Sequence, residues 1–298
     1  MIKIGVFYGG KLSRHLVLLR KAAEKMEVSL DLISYNDVSY ETETEEVKIK
    51  NKKIEDYGVL FFRTTGKHWE EVNLVLDTID RDKVIIVDPL VEKGRPSDAC
   101  KAYQMLALKK AGIEVPKTIY GSLWNLLKVM NEGKMDFPII LKGSGGDRGT
   151  RVFKADNQKD LEKLVRDLRR SEIDEGRRYM LQEFIPNDGD YRILVLGDKV
   201  LGIMKRSSQS KEEFRNNYSM GGKVEVADLP EEIKEMATKA AKVCGLLVAG
   251  VDVAFRDNDF KKPVVWEVNK GPQFKGFMQA TGIDVPREII KFLVGLKK

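Results

Sequence analysis

A short apolar run near the C-terminal end, residues 263–269, constrains the fold most, because its composition favours a strand with one polar face. It reads Pro-Val-Val-Trp-Glu-Val-Asn, rich in the residues that strands prefer. Side chains alternate between the two faces of a strand, so Glu267 and Asn269 share one face. A second predicted strand, residues 248–255, is small and apolar except for Asp252. If the two strands are neighbours, three oxygen-bearing side chains converge.

Two carboxylates and an amide, with no Cys or His among them, are typical ligands of a hard cation. Asp252, Glu267 and Asn269 therefore form a candidate site for Mg²⁺, with Mn²⁺ as a possible substitute and a nucleotide sharing its phosphate oxygens. A half-buried strand whose polar face simply contacts water explains the same alternation equally well. The rest of the chain has to decide between the two interpretations.

Composition sets broad limits on the kind of protein. A length of 298 residues allows two or three domains. Lys and Arg total 52 against 46 for Asp and Glu, giving a net charge of +6. This mild excess favours anionic partners but does not decide between small anions and nucleic acid. Two cysteines without metal spacing, no signal peptide and no membrane-spanning run predict a cytoplasmic protein that does not contact a membrane.

The first ninety residues alternate between strand and helix patterns, which predicts a small parallel α/β domain. Arg63 follows one of its strands, at the carboxyl edge where open α/β sheets bind ligands. Its planar guanidinium suits a substrate carboxylate, which makes it a candidate substrate contact. A solvated loop arginine is an equally good explanation.

Residues 142–150, Lys-Gly-Ser-Gly-Gly-Asp-Arg-Gly-Thr, carry the clearest phosphate signal. The glycines leave backbone N–H groups open to an anion, and Lys142 adds a positive charge beside them. A Walker loop opens directly into a helix, whereas this loop returns into another strand. We therefore predict a flap over phosphates. A glycine-rich turn that binds no ligand is the alternative.

Several cations outside this loop are candidate anion ligands. Lys101 lies in the first turn of a predicted helix that ends near residue 110, where the helix dipole disfavours a positive charge. Arg192 and Arg206 fall on two strands of a predicted hairpin, and Arg215 lies in the polar segment 207–222. The alternative for Lys101 is the one that holds for most helical lysines, a solvated surface charge.

These motifs, in this order, resemble the ATP-grasp superfamily, and within it the RimK-type carboxylate–amine ligases. The resemblance covers most of the chain and rests on Lys101 and the segments 137–152, 182–185, 190–192, 214–217, 250–252, 267–269 and 280–285. It implies an ATP-grasp fold, α/β overall and α+β in the ATP-binding part. The implied domains are an N-terminal α/β domain over residues 1–95, a linker helix and lid over 96–182, and a metal-bearing sheet domain over 183–298.

The resemblance also implies roles for individual residues. The implied ATP contacts are Lys101, Lys142, Ser144, Gly145, Gly146, Glu183, Phe184, Asp190, Arg215 and Asn217. Among these, the lysines would contact phosphates, residues 183 and 184 the adenine, and Asp190 the ribose. The Mg²⁺ ligands would be Asp252, Glu267 and Asn269. Arg192, Arg206 and Arg215 are candidate catalytic residues, and Arg63, Lys205 and Lys270 are candidate substrate contacts.

The implied activity is ADP-forming ligation through an acylphosphate. It would join an amino acid, with glutamate as a candidate, to an amino acid, a peptide, or a protein tail or carrier. The implied protein is a homodimer or homotetramer that does not bind nucleic acid. Residues 269–274 read Asn-Lys-Gly-Pro-Gln-Phe where relatives commonly read Asn-x-Ser-Pro-Gly, so the acceptor stays open. The alternatives are a D-alanine–D-alanine or glutathione-synthase-like ligase, and a non-catalytic basic protein that binds nucleic acid.

Overall fold

The computed structural model describes residues 2–50, 52–93, 101–143, 151–208 and 223–296. In these ranges the chain forms four β-sheets and eight α-helices, which confirms the predicted mixed α/β class. Each helix of the described ranges is too short or too polar to cross a membrane.

The N-terminal sheet has four parallel strands in the order β2-β1-β6-β7. Its strands are β1 (Lys3–Tyr8), β2 (Ser29–Ser34), β6 (Val59–Phe62) and β7 (Ile85–Val87), with helices α1 (Arg14–Lys25) and α2 (Trp69–Thr78). All four residues of β6 are buried, as expected for a parallel strand covered on both faces. Helix α1 begins after Ser13, whose hydroxyl accepts a hydrogen bond from the Leu16 N–H. The predicted parallel arrangement is confirmed.

A small antiparallel sheet is inserted between β2 and β6. It consists of β3 (Val38–Glu41), β4 (Glu46–Ile49) and β5 (Lys52–Lys53). Val47 and Ile49 on β4 are buried, whereas the β3 and β5 side chains are mostly exposed. The insertion therefore covers one flank of the N-terminal core without interrupting the parallel sheet.

A second four-stranded sheet, antiparallel in the order β10-β9-β11-β8, forms the middle of the chain. Its strands are β8 (Thr118–Gly121), β9 (Ile139–Gly143), β10 (Val152–Ala155) and β11 (Tyr179–Glu183), with helices α4 (Leu123–Asn131) and α5 (Gln158–Asp174) packed on it. Lys142 pairs with Val152 across β9 and β10, so the glycine-rich loop does return into a strand. The loop itself, residues 144–150, lies outside the described residues.

The largest sheet is antiparallel and has the order β14-β13-β12-β15-β16. Its strands are β12 (Asp190–Leu196), β13 (Lys199–Ser207), β14 (Lys223–Ala227), β15 (Val248–Phe255) and β16 (Pro263–Lys270), and the remaining helices are α3 (Lys101–Lys110), α6 (Glu231–Val243), α7 (Lys275–Thr281) and α8 (Val285–Gly295). Strand β15 is buried along its whole length. The division of the chain at residues 95 and 182 stays a prediction.

The two faces of the largest sheet pack against different partners. One face, which includes Ile193 and Val251, packs on α6. The other face, which includes Leu194 and Val248, joins a core with α1 and α8. Side chains alternate along each strand, so the polar residues that share the second face with Leu194 and Val248 lie on the side of the sheet that is close to the N-terminal domain.

The loop after β7 connects the N-terminal sheet to the start of β15 through a buried contact, named the Asp88 junction after its central residue. Asp88 is fully buried, and its Oδ1 accepts hydrogen bonds from the N–H groups of Leu247 (2.7 Å) and Val248 (3.1 Å). The Leu90 N–H donates to the Gly245 carbonyl at 2.9 Å. Gly245 has φ +68, and a Cβ there would lie 3.1 Å from the Leu90 backbone. This approach requires glycine.

We expect Gly245→Ala to destabilise the protein more than Gly282→Ala. Both positions have left-handed φ values, +68 and +72, but a Cβ at Gly282 would meet nothing within 4 Å. Gly282→Ala should cost about 1 kcal/mol from the left-handed conformation alone. Gly245→Ala adds the clash with Leu90, so thermal unfolding should rank it below Gly282→Ala and wild type. Equal melting temperatures for the two variants would show that the junction tolerates a side chain.

Candidate functional site

A row of charged side chains crosses three strands of the largest sheet. Glu267 on β16 lies opposite Asp252 on β15, and Asp252 lies opposite Arg192 on β12. Arg192 binds Asp252 with two parallel bonds, Nε to Oδ1 at 2.7 Å and Nη2 to Oδ2 at 2.7 Å. Residues opposite one another in antiparallel strands are close neighbours, so the strand register itself assembles the row.

A second ion pair lies beside Asp252 on the same face. Arg206 on β13 is opposite Asp190 on β12 and contacts its carboxylate, and its Nη2 is also 3.1 Å from Asp252 Oδ2. Asp190, Arg206 and Asp252 are 1%, 4% and 3% exposed. Burial raises the pKa of Asp252, but the two arginines outweigh it and the pKa falls below its usual value. Asp252 is therefore ionised.

Glu267 lies at the β16 end of the row, where Lys101 pairs with it and the charge of Lys142 also acts on it. The Lys101 Nζ is 2.9 Å from Glu267 Oε1. Burial opposes ionisation of Glu267, but Lys101 and Lys142 outweigh both burial and the Asp252 charge, so its pKa is lowered. Burial, with repulsion from Lys101, lowers the pKa of Lys142 to about 8. The structure thus brings Lys101 and Lys142 together with the predicted metal ligands.

Gln104, which the sequence analysis did not single out, fixes helix α3 on strand β16. Its Nε2 donates to the Val268 carbonyl at 2.7 Å, and its Oε1 accepts from the Val268 N–H at 2.8 Å. Gln104 lies three residues after Lys101, on the same side of the helix. That spacing is the signal that could have marked it as the residue that positions Lys101.

The end of β11 is held by a second residue missing from the sequence analysis, Arg256. Its guanidinium binds the Glu183 carboxylate at 2.9 and 2.5 Å, and Glu183 Oε1 also accepts from the Lys117 N–H at 2.7 Å. The Phe184 N–H donates to the Pro138 carbonyl at 3.3 Å, and Lys154 Nζ lies 4.8 Å from the Phe184 ring. The Glu183 side chain therefore joins two sheets, so an adenine contact at this strand end would use the backbone. That contact stays a prediction.

Arg63 is buried at the base of the loop that follows β16. It is 3% exposed, its Nη2 donates to the Pro272 carbonyl at 2.9 Å, and its guanidinium lies 5.3 Å from the Phe274 ring. Gly271 has φ +57, and a Cβ there would lie 2.5 Å from the Arg63 carbonyl oxygen. Burial lowers the pKa of Arg63 to about 10. The observed contacts support the loop, and the predicted contact with a substrate carboxylate stays a prediction.

Lys205 and Lys270 lie away from this cluster, Asp190 lies within it, and five further predicted residues lie outside the described residues. Lys205 Nζ is 3.1 Å from Asp188, and Lys205 points away from Arg206, its neighbour along β13. By the same alternation, Lys270 belongs to the face of β16 opposite Asn269. Asp190 is buried against Arg206, and its contact with a ribose stays a prediction. Ser144, Gly145, Gly146, Arg215 and Asn217 lie outside the described residues.

The donor set fits Mg²⁺. Among the described residues no group of three or more His, Cys, Asp or Glu side chains could hold a metal ion. The predicted set has two carboxylates, Asp252 and Glu267, and the amide of Asn269, whose Nδ2 is 3.1 Å from Asp252 Oδ2. Mg²⁺ commonly uses one or two carboxylates, keeps several waters and shares phosphate oxygens. Its ligation by these three residues stays a prediction.

Comparisons with known proteins identify the family and the fold. The sequence profile of the RimK-like ATP-grasp domain matches residues 96–293. A probable alpha-L-glutamate ligase from Hahella chejuensis is 33% identical over 222 residues, which are 74% of this chain and 70% of that protein.

Solved structures show the same fold at low identity. The ATP-grasp ligase PsnB, complexed with a variant of its minimal precursor, Mg and ADP, has a TM-score of 0.75 and 18% identity over 100% of this chain and 99% of its own. D-alanine–D-alanine ligase from Bacillus anthracis, complexed with ATP, has a TM-score of 0.65 and 18% identity over 99% and 96%. The ATP-grasp fold is confirmed. The chain belongs to the RimK-like ATP-grasp family and is an ATP-dependent ligase.

Proposed function

We propose that the chain is an ADP-forming carboxylate–amine ligase that joins an amino acid, with glutamate as the first candidate, to an amino acid, a peptide or a protein tail. The observation that carries this proposal is the row Glu267–Asp252–Arg192, with Lys101 at one end and Arg206 beside it. Oxygen ligands for a cation thus lie between two groups of positive charges. The name of the Hahella relative supports glutamate, and the precursor peptide bound in another structure of PsnB supports a peptide partner.

The proposed chemistry activates a carboxylate, which is a poor electrophile. Transfer of the γ-phosphoryl group of ATP onto its oxygen gives an acylphosphate and ADP. The amine then attacks the acyl carbon, and phosphate leaves. Such transfer needs chiefly positioning and charge neutralisation rather than a protein nucleophile. Mg²⁺, when bound by Asp252, Glu267 and Asn269, would neutralise phosphate charge.

The protein's own residues supply the other requirements. Lys101 and Lys142 would hold phosphate oxygens beside Glu267, and Arg192 and Arg206 would stabilise negative charge on the acylphosphate and on its tetrahedral successor. The pair of Arg256 with Glu183 fixes the strand end at which adenine would bind. The loop 144–150 would exclude water from the acylphosphate.

The loop after β16 forms the proposed acceptor wall, defined here as residues 271–274. Arg63 supports it from the N-terminal domain through Pro272 and Phe274. This contact places the wall next to the carboxyl edge of the N-terminal sheet, where a substrate would bind. Acceptor choice therefore depends on both domains.

Mg²⁺-dependent ADP release, measured against a panel of amino acids and short peptides as donors and acceptors, tests the function. A pair that includes glutamate should stimulate release, whereas stimulation by D-alanine alone would favour the D-alanine–D-alanine ligase type. Nucleic acid that binds regardless of ATP would favour the non-catalytic alternative. The cytoplasmic location, the homo-oligomeric state and substitution by Mn²⁺ stay predictions.

We expect Glu267→Gln to lower the rate of ADP release by about a hundredfold or more, because a neutral amide is a weaker metal ligand than a carboxylate. Glu235→Gln, on the exposed side of α6, is the matched control and should keep the wild-type rate. A Glu267→Gln protein with wild-type turnover would refute the metal assignment.

ATP affinity should fall with rising pH through Lys142. Its pKa of about 8 means that the amine loses its charge above pH 8 in the free protein. If only the charged form holds phosphate, the Kd of a non-hydrolysable ATP analogue rises about tenfold between pH 7 and pH 9. Lys142→Arg keeps its charge over this range and should show a flat profile. A flat wild-type profile would mean that phosphate binding does not use the Lys142 charge.

A further inference from the structure

Both oxygens of the Asp252 carboxylate already have hydrogen-bond donors, and Oδ2 has more than it can accept. Among the described residues, Oδ1 accepts from Arg192 Nε, and Oδ2 is approached by Arg192 Nη2 (2.7 Å), Arg206 Nη2 (3.1 Å) and Asn269 Nδ2 (3.1 Å). An ionised carboxylate offers about four acceptor positions, two on each oxygen. Three donors therefore exceed the capacity of Oδ2. The two guanidinium groups still fill Oδ2 after Asn269 turns its amide oxygen to a cation, so a cation can share this oxygen only after a guanidinium leaves. A cation at the open position of Oδ1 would be repelled by the adjacent Arg192 guanidinium.

Arg192 is the guanidinium that can leave. Arg206 is held between two carboxylates, Asp190 and Asp252, and its side chain is only 5% exposed. Removing it would uncover two buried charges. The Arg192 side chain is 14% exposed, and Asp252 is the one carboxylate it binds among the described residues. Its departure still leaves Asp252 paired with Arg206.

The position of Arg192 also indicates where its guanidinium would move after it leaves Asp252. A Cβ at Gly250 would lie 3.5 Å from Arg192 Cδ and 2.9 Å from Pro272 Cβ. Arg192 thus lies over Gly250, between Asp252 and the acceptor wall. A released guanidinium keeps its charge at any accessible pH and needs a new anion.

We propose that Arg192 exchanges partners during substrate binding. It holds Asp252 in the free enzyme, and when the metal binds Asp252 it turns to an oxyanion of the substrate beside the acceptor wall. This inference rests on the proposed function and describes how metal binding at the proposed site is regulated. The oxyanion is a carboxylate or a phosphoryl group, since both accept two parallel bonds from a guanidinium. Metal and oxyanion then strengthen each other's binding by the same factor.

Mn²⁺ binding without turnover tests the exchange. Free Mn²⁺ is measured by electron paramagnetic resonance in wild type, Arg192→Gln and Arg192→Lys. We expect Arg192→Gln to bind Mn²⁺ alone about tenfold more tightly than wild type. Arg192→Lys should be intermediate, because lysine keeps the charge but cannot make the paired bonds. Wild-type affinity in Arg192→Lys would overturn the exchange and leave only a charge effect.

Two probes identify the oxyanion. L-glutamate supplies a carboxylate, and sulfate stands in for a phosphoryl group. The probe that tightens Mn²⁺ binding in wild type but not in Arg192→Gln names the group that Arg192 takes. Failure of both probes to tighten Mn²⁺ binding would overturn the exchange. Lys199→Gln, which removes an exposed charge at the opposite end of β13 from Arg206, should leave Mn²⁺ affinity unchanged.

Adding Glu267→Gln to Arg192→Gln separates this inference from the proposed function. Loss of the tightened Mn²⁺ binding supports both, provided that the protein still unfolds cooperatively. Mn²⁺ binding that ignores Glu267 would place the metal elsewhere and refute the proposed site. Mn²⁺ binding that needs Glu267 but does not respond to Arg192 would overturn the exchange alone.

Discussion

The Asp252 carboxylate, held between the guanidinium groups of Arg192 and Arg206, is the interaction on which the rest of the site depends. Asp252 is 3% exposed on a fully buried strand, where an unpaired carboxylate would be very costly. Two arginines from β12 and β13 offset that cost, and they can reach Asp252 only in the observed strand register. Buried ion pairs of this kind contribute little net stability, so their main effect is to fix geometry. The same register places Glu267 next in the row.

Much of this arrangement follows from local sequence. Alternation along residues 263–269 puts Glu267 and Asn269 on one face, and the apolar neighbours of Asp252 mark its strand, so their convergence could be predicted. The contact of Arg192 with Asp252 could not, because it joins residues 60 positions apart through a pairing that no local pattern specifies. Arg63 shows the same limit. Its position after a strand could be predicted from the sequence. Its burial could not, because it depends on a contact with Pro272, 209 positions away.

The departure from the common family motif at residues 271–274 also has a structural explanation. Gly271 allows the Arg63 carbonyl to approach, and Phe274 lies between the Arg63 guanidinium and the His15 ring, at 5.3 and 4.6 Å. These residues form a contact between the N-terminal domain and the largest sheet. Together with the Asp88 junction, this contact makes the wall position depend on how the two parts pack. Residues 271–274 depart from the common family motif in sequence, but in the fold they connect the N-terminal domain to the largest sheet.

The charge balance of the site explains why metal and substrate would bind together. Among the described residues, the cations Lys101, Lys142, Arg192 and Arg206 surround the carboxylates of Asp190, Asp252 and Glu267, so the cluster is close to neutral with a small positive excess. A divalent cation alone would add charge to a buried, low-dielectric site and would meet two guanidinium groups on its carboxylate. A triphosphate that enters with the cation brings negative charge that compensates it. The same anionic oxygens would give Lys101, Lys142 and an arginine displaced from Asp252 new partners. The proposed site would therefore favour binding of the metal and its anionic ligands as a unit over stepwise binding of the metal first.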